Sequence, residues 1–408
     1  MSSLVNKQAL VPKLRFPEFR GAGGWEQSVL ADACEMQAGK FVSASSISYR
    51  HESELFPCYG GNGLRGYTAT HTHTGTYPLI GRQGALCGNV RLVDGQFHAT
   101  EHAVVATPRN TIDVGWLFYS LDLLNLNRFA TGQAQPGLSV DVLEKVSLAI
   151  PSQEAEQQKI AECLSSVDEV IAAQARKLDA LKTHKKGLMQ LLFPREGETQ
   201  PRLRFPEFQD AVEWVSDSLG KLFQTSSGGT PSRTEDSYWN GDIPWITTTL
   251  VDFRVITSAD EFLSAEGLKN SSAKLFPKGT VLMAMYGQGK TRGQVALLGI
   301  RAATNQACAA ILPCKGIDPY FVFLNLAGRY EEIRELSNSG GQENLSQGLI
   351  REIQFAFPPD DDEQRKVTAC LSTLDNLIAA ETQKLDTLKT HKRGLMQQLF
   401  PSPTAVAA

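Results

Sequence analysis

The chain is written twice, and that constrains its fold more than any other feature. PKLRFPEF at 12–19 returns as PRLRFPEF at 201–208, an offset of 189. The register continues through Trp25 and Trp214, then Leu30 and Leu219. Residues 151–194 return at 358–401 with an offset of 207, and 26 of those 44 aligned positions are identical. The offsets differ by 207 − 189 = 18, so the segment between the matched blocks is 18 residues longer in the second copy. That segment has diverged, and only fragments align near an offset of 205. Gly84, Gly88 and Val90 fall on Gly289, Gly293 and Val295, and Ala99-Thr100 on Ala303-Thr304. Drift alone erodes all parts alike. One block kept and another remade points to one task that needs two like copies and one that needs them different.

The kept blocks read as helices with a seam. Ile160, Leu164, Val167, Ile171, Gln174, Leu178, Leu181, Lys185, Leu188 and Leu192 are spaced alternately by four and three. The second copy gives Val367, Leu371, Leu374, Ile378, Glu381, Leu385, Leu388, Lys392, Leu395 and Leu399. A 3.5-residue period predicts a coiled-coil stripe, and so narrow a stripe needs a partner helix. The other copy is the expected partner; packing of each helix on its own domain is the alternative. The polar pairs Gln174/Glu381 and Lys185/Lys392 are expected to cost stability while fixing register. Pro151-Ser152 and Pro359-Asp360 give start signals, Asp360 with Glu363 resembles a capping box, and Pro194 and Pro401 give stops. Arg176, Lys177, Lys182, Lys185 and Lys186 crowd one end of the first helix, with only Asp179 opposing, and read as a solvated face.

The diverged blocks show short apolar runs broken by Gly and Pro at 75–107 and 279–312, with helical stretches at 116–126 and 320–336. This predicts α+β domains. Charge separates them from the rest. The net charge is −4, yet 55–93 and 267–317 contain no Asp or Glu. The first window holds Arg65, Arg82 and Arg91; the second holds seven Lys and Arg. Both carry Gly-rich phrases, YGGNGLRGY and MYGQGKTRGQ. Arg and Lys suit phosphates and guanine edges, while Asn and Gln suit adenine.

Catalytic patterns are weaker. His98-Ala-Thr-Glu101-His102 matches a zinc pattern that requires a helix, but its flanks read as strand. Glu101 and His102, opposite Asn305 and Gln306, read better as a position that varies for recognition. Gly289-Lys290-Thr291 is a relaxed phosphate-loop pattern followed by a strand rather than the required helix. His71-Thr-His73 reads as a solvated turn. Seven scattered cysteines form no C-x-x-C pair, no apolar run reaches 18 residues, and the N-terminus has no apolar signal core. These features predict a reduced, cytoplasmic chain off the membrane.

The two LRFPEF…W starts, the two L-x-x-L-K-T-H-K-[KR]-G-L-M-Q-x-L-F-P helix ends, and the phrases SGGTPSRTEDSYWNGDIPWI and LSVDVLEKVSLAIPSQEAEQQKIA span 12–401. With them the chain resembles the DNA specificity subunit of type I restriction–modification systems. The resemblance implies two target-recognition domains joined by two long helices in an antiparallel coiled coil, a pseudo-twofold α+β fold. Its divisions are a tail at 1–11, a first recognition domain at 12–150, a spacer helix at 151–194, a linker at 195–200, a second recognition domain at 201–357, a second spacer helix at 358–401 and a tail at 402–408. It implies double-stranded DNA as ligand, each domain reading half of an asymmetric split site. Implied partners are methyltransferase subunits, two in number, that use S-adenosylmethionine, with restriction/translocase subunits that use ATP and Mg as an optional addition; the chain itself binds no cofactor and is not catalytic. Loop position, charge and matching phrase select Tyr59, Asn62, Arg65, Tyr67, Arg82 and Gln83 in the first domain. In the second they select Thr230, Ser232, Arg233, Tyr286, Gln288, Lys290 and Arg292. Competing readings are a metal-dependent hydrolase on His98, Glu101 and His102, and a coiled-coil assembly protein without DNA specificity.

Overall fold

A computed structural model describes residues 10–84, 86–132, 136–195, 197–287, 290–336 and 344–401. Most of the tail at 1–11 and all of that at 402–408 lie outside the described residues. The fold is α+β, and the chain divides into two units: residues 1–176 with 383–408, and residues 177–382.

Among the described residues unit 1 holds ten strands: β1 Glu26–Val29, β2 Cys34–Ala38, β3 Phe56–Gly60, β4 Gly63–Thr68, β5 His73–Thr74, β6 Tyr77–Gly81, β7 Val90–Val93, β8 Gln96–Ala99, β9 Ala103–Pro108 and β10 Ser147–Ile150. They form sheets ordered β2-β9-β6-β7 and β4-β3-β8-β5, plus a β1-β10 ribbon. All pairings are antiparallel except β3 with β8. Its helices are α1 Leu30–Ala33, α2 Val114–Leu123 and α3 Val140–Leu143, followed by the long α4 Glu154–Leu192, which ends in unit 2.

Unit 2 holds α5 Leu219–Leu222, α6 Ala265–Lys269, α7 Pro319–Gly328, α8 Tyr330–Glu335 and α9 Gln347–Glu352. Its strands are β11 Val215–Ser218, β12 Thr225–Ser227, β13 Trp239–Ile246, β14 Val255–Ile256, β15 Glu261–Leu263, β16 Leu275–Phe276, β17 Val281–Ala284, β18 Val295–Leu298, β19 Ala302–Thr304, β20 Cys308–Ile311 and β21 Gln354–Phe357. The sheets are β12-β20-β17-β18-β14, β15-β13-β19-β16 and β11-β21, and β13 runs parallel to β19 as β3 does to β8. Strand for strand this is the unit 1 topology with one addition, β14. The addition explains the extra length. Thr100 N donates to Tyr59 O where Asn305 N donates to Ile246 O, an acceptor offset of 187. Gly88 N donates to Gly81 O where Gly293 N donates to Ala284 O, an acceptor offset of 203. Sixteen residues therefore enter between β13 and β17, the stretch that contains β14.

The last long helix, α10, covers Asp361–Leu399 and ends in unit 1. It and α4 have 39 residues each, about 58 Å at 1.5 Å per residue. In each unit the start of one helix runs antiparallel to the end of the other. In unit 1, Ile160 and Leu164 share a core with Met396 and Leu399, while Asp168 meets Lys392 Nζ at 2.7 Å. In unit 2, Lys177 pairs with Glu381 and Lys185 with Asp375, while Met189 and Leu192 share a core with Val367 and Leu371. All twenty seam positions are buried or half-buried. Lys185 and Lys392 do not simply dilute the seam: each holds an aspartate of the facing helix, and Asp168 and Asp375 are themselves 207 apart. Lys177 and Lys185 are thereby taken out of the basic run, which is not merely a solvated face. Each helix also packs on both domain cores, so the two packing alternatives hold together: its start lies against its own block and its end against the other.

The helix starts are fixed by a buried knot that occurs twice. Arg15 donates from Nε and Nη2 to both oxygens of Glu156 at 2.7 Å, and Trp25 Nε1 donates to Oε1 at 3.2 Å. Arg204, Glu363 and Trp214 repeat this at 2.7, 2.7 and 3.0 Å. Glu363 therefore does not close a capping box; Asp360 caps α10 alone, accepting from Asp362 N at 2.8 Å. Aromatic rings cover each knot. Trp25 packs edge-on to Trp116 and Phe400, and Phe321 packs on Trp214 and Phe193. Next along each helix a tyrosine from the domain donates to the seam aspartate, Tyr119 to Asp168 at 2.8 Å and Tyr320 to Asp375 at 3.2 Å. Burial first, with the aspartate adding to it, pushes the Tyr320 hydroxyl up to about 12 and moves Tyr119 in the same direction.

Removing Glu156 leaves a guanidinium whose side chain is 6% exposed with its charge unpaired. Glu156→Ala is expected to cost about 3–5 kcal/mol. Urea unfolding measures this, and a loss below 1 kcal/mol contradicts the role given to the knot.

Candidate nucleic-acid interface

In unit 1 the site is built around one tight hairpin and one polar turn. β3 and β4 pair Gly60 with Gly63, so Gly61 and Asn62 form the tip, and Asn62 is exposed. Beside it, Ala103 N donates to Thr100 O at 2.9 Å and closes the turn Thr100–Ala103 between β8 and β9. Three neighbours grip this turn through the backbone. Lys40 N donates to Ala99 O at 2.8 Å, Thr100 N to Tyr59 O at 2.8 Å, and Arg82 N to His102 O at 2.9 Å. Glycine is required where the segments meet: a Cβ on Gly39 would overlap Ala99 O, and one on Gly81 would overlap Gly61 O. Gly88 closes the loop that follows β6 with φ +85°, and Gly293 does so in unit 2 with φ +84°, a left-handed conformation that suits glycine.

This arrangement brings Tyr59, Asn62, Arg65, Arg82 and Gln83 to one neighbourhood. The Arg65 side chain lies over Gly60, and Arg82 Nε donates to Leu138 O at 3.3 Å. Arg91 and Asn89, outside the set chosen from sequence, join Tyr59 and Asn62 in lining a polar cleft of about 160 Å³. Their signal was available, since both lie in the acid-free window. Tyr67 stands apart: its backbone pairs with Ser48 and its ring packs on His51 at 4.9 Å.

Unit 2 repeats the frame with other side chains. Cys308 N donates to Asn305 O at 3.3 Å, Gly229 N to Thr304 O at 2.8 Å, Asn305 N to Ile246 O at 3.0 Å, and Met285 N to Ala307 O at 2.9 Å. The turn equivalence is thus offset by 205. Glu101 matches Gln306 and His102 matches Ala307, one residue away from the alignment read in sequence. Thr230 donates to Gln306 Oε1 and Tyr286 follows Met285, so both flank the turn. In sequence, 285–292 spans eight residues against six for 82–87. Lys290 lies on the far limb of the longer stretch, where its carbonyl accepts from the Tyr330 hydroxyl, and Arg292 is half-buried there. Gln288 and Gly289 lie outside the described residues. Ser232 bonds Thr234, and its carbonyl accepts from Trp239 Nε1. Arg233 pairs with Glu261 and sits 3.8 Å over Trp239 and 4.9 Å over Trp245. These contacts hold the Arg233 guanidinium against the rings and carboxylate of its own unit.

The hydrolase pattern lacks its geometry. His98 ends its reach on protein, with Nδ1 bonded to Thr70 Oγ1 and Nε2 to Lys40 O, both at 3.0 Å. Among the described residues no group of three His, Cys, Asp or Glu side chains is placed to hold a metal ion. The Cys34 and Cys308 thiols are pushed up to about 12 by burial, which disfavours the thiolate. His73 is not in a solvated turn: it lies in β5, stacked on Phe97 at 5.4 Å. Burial, with Lys40 and His98 nearby, lowers its pKa.

Comparison with known proteins gives one answer. Residues 23–183 and 211–390 match the type I restriction modification DNA specificity domain. The type I restriction enzyme EcoprrI specificity subunit of Escherichia coli is 48% identical over 128 residues, 31% of this chain and 32% of that protein. The MjaIX specificity subunit of Methanocaldococcus jannaschii is 26% identical over 193 residues, 46% of this chain and 44% of that protein. The match therefore spans less than half the length of either relative. In fold, the type I restriction–modification S subunit from M. genitalium superposes with a TM-score of 0.62 at 18% identity, covering 96% of this chain and 100% of that one. Among the described residues no helix is long and apolar enough to cross a membrane.

The glycine contacts yield a paired expectation. Gly228→Ala forces a Cβ into Thr304 O and is expected to destabilise by about 1–3 kcal/mol. Gly394→Ala, in α10 with nothing within 4 Å, is expected to stabilise by about 0.5–1 kcal/mol. Thermal unfolding of both variants checks the contrast; equal effects contradict the packing described.

Proposed function

The chain belongs to the family of type I restriction–modification DNA specificity subunits, and from that premise we propose that its two units each read one half of an interrupted, asymmetric site in double-stranded DNA. The carrying observation is the same sheet topology and turn frame, built twice, holding different polar side chains. Half-site spacing follows protein geometry. Two like helices give a fixed frame, while unlike heads give an asymmetric site.

The contacting groups in this proposal are Tyr59, Asn62, Arg65, Arg82, Gln83 and Arg91 in unit 1. In unit 2 they are Thr230, Ser232, Tyr286, Gln288, Lys290 and Arg292. Tyr67 and Arg233 have a supporting role, given their own partners. The acid-free windows supply local positive potential that the net charge of −4 conceals. The chain itself performs no chemical step in this reading. Methylation falls to two methyltransferase subunits using S-adenosylmethionine, and cleavage, where present, to restriction/translocase subunits using ATP and Mg, all in the cytoplasm.

Arg82→Ala and Arg292→Ala are expected to weaken DNA binding by the assembled methyltransferase about 5- to 100-fold, with a shallower salt dependence where the lost contact is to phosphate. Fluorescence anisotropy at several salt concentrations measures both. Unchanged binding in both variants contradicts the assigned surface.

A further inference from the structure

In both units one polar turn sits in the same backbone cradle while its side chains differ. The cradle consists of the bond from the β2 or β12 exit, the bond to the β3 or β13 end, and the bond from the loop after β6 or β17. The second position of that turn is Glu101 in unit 1 and Gln306 in unit 2. We propose that this position reads a base edge, with Glu101 accepting from the exocyclic amine of a cytosine and Gln306 forming a two-point contact with an adenine. The proposal rests on the DNA-reading function above and assigns the side chains that distinguish the two half-sites.

Three observations carry it. The first is charge. Between 55 and 112 the only acids are Asp94 and Glu101; Asp94 accepts from Thr76 away from the turn, and Asp122 of α2 lines the neighbouring cleft rather than the turn. A carboxylate on a face that meets phosphates is repelled unless a donor meets it, and cytosine N4 is the donor of the major groove that a carboxylate suits. The second is bonding. Glu101 Oε1 pairs with His102 Nε2 at 3.2 Å, and Oε2 is buried without a hydrogen-bond partner among the described residues, a polar atom whose acceptor is unmet. The side chain as a whole is 32% exposed, and reading a base requires its carboxylate to turn so that Oε2 leaves its buried position. The third is the counterpart. Gln306 is exposed, and Thr230 holds its Oε1, which orients an amide able to accept from adenine N6 and donate to N7. The carbonyl has a second lone pair for the base.

The competing account makes both residues structural, Glu101 as a brace for His102 and Gln306 for Thr230. Methylome sequencing of cells expressing the full chain with its methyltransferase subunits separates the two. Glu101→Gln is expected to change one base pair in one half-site only, with preference for cytosine there falling about 10- to 100-fold and adenine gaining. Gln306→Glu is expected to make the opposite change in the other half-site only. Glu101→Asp keeps the charge with a shorter reach, and is expected to weaken the same base pair should the Gln variant fold poorly. A bipartite motif carried unchanged through these variants, or a uniform fall in methylation with no motif change, overturns the assignment of Glu101 and Gln306 alone. A wild-type chain that directs no sequence-defined methylation overturns the DNA-reading function as well.

Discussion

Two buried carboxylates, Glu156 and Glu363, hold this structure at its two roots. Each lies near the start of a 39-residue helix and is 1% exposed. A buried carboxylate is tolerated only when its charge and lone pairs are met. Arg15 and Trp25 do this in one unit, Arg204 and Trp214 in the other. The repeated LRFPEF…W segment exists to deliver those two donors. Its sequence is kept because both partners of the carboxylate come from it: loss of the arginine strands a charge in the core, and loss of the tryptophan leaves a carboxylate oxygen one donor short.

The same logic continues along the helices. Asp168 and Asp375 each accept from a tyrosine of the adjoining domain and a lysine of the facing helix. One side chain thus ties the adjoining domain and both helices into a single polar contact. A seam of leucines alone slides in register at little cost; a lysine that must reach one aspartate does not. This is the physical reason the helix blocks stayed alike: the partner of each lysine is encoded in the other copy.

How much was legible in the sequence follows from which contacts are local. The helix pair was readable because a 3.5-residue period depends only on spacing and a repeat with 26 of 44 positions identical is visible without any structure. The knot was not, because Arg15 and Glu156 are 141 residues apart and Glu363 imitates a capping residue. The shared topology of the middle segments was nearly invisible. A sixteen-residue insertion with an added strand breaks the alignment, and backbone ladders leave little trace in side-chain identity. At the candidate interface, charge and glycine content located the loops. The pairing of Arg233 with Glu261 and of His73 with Phe97 could not be read, since each depends on segments brought together only by the fold.

Divergence and constraint are therefore divided by depth. Backbone hydrogen bonds and glycine contacts fix the turn in each unit, so its exposed side chains are free to change without loss of fold. The helices have no such freedom. The claim that their antiparallel register rests on the repeated lysine–aspartate contacts is tested most directly by a double-mutant cycle on Asp168 and Lys392. Urea unfolding of Asp168→Lys, Lys392→Asp and the double reversal should show two destabilised single variants and a double variant that recovers part of the loss. The expected coupling is on the order of 1 kcal/mol. Single-variant losses that simply add in the double reversal would contradict the account.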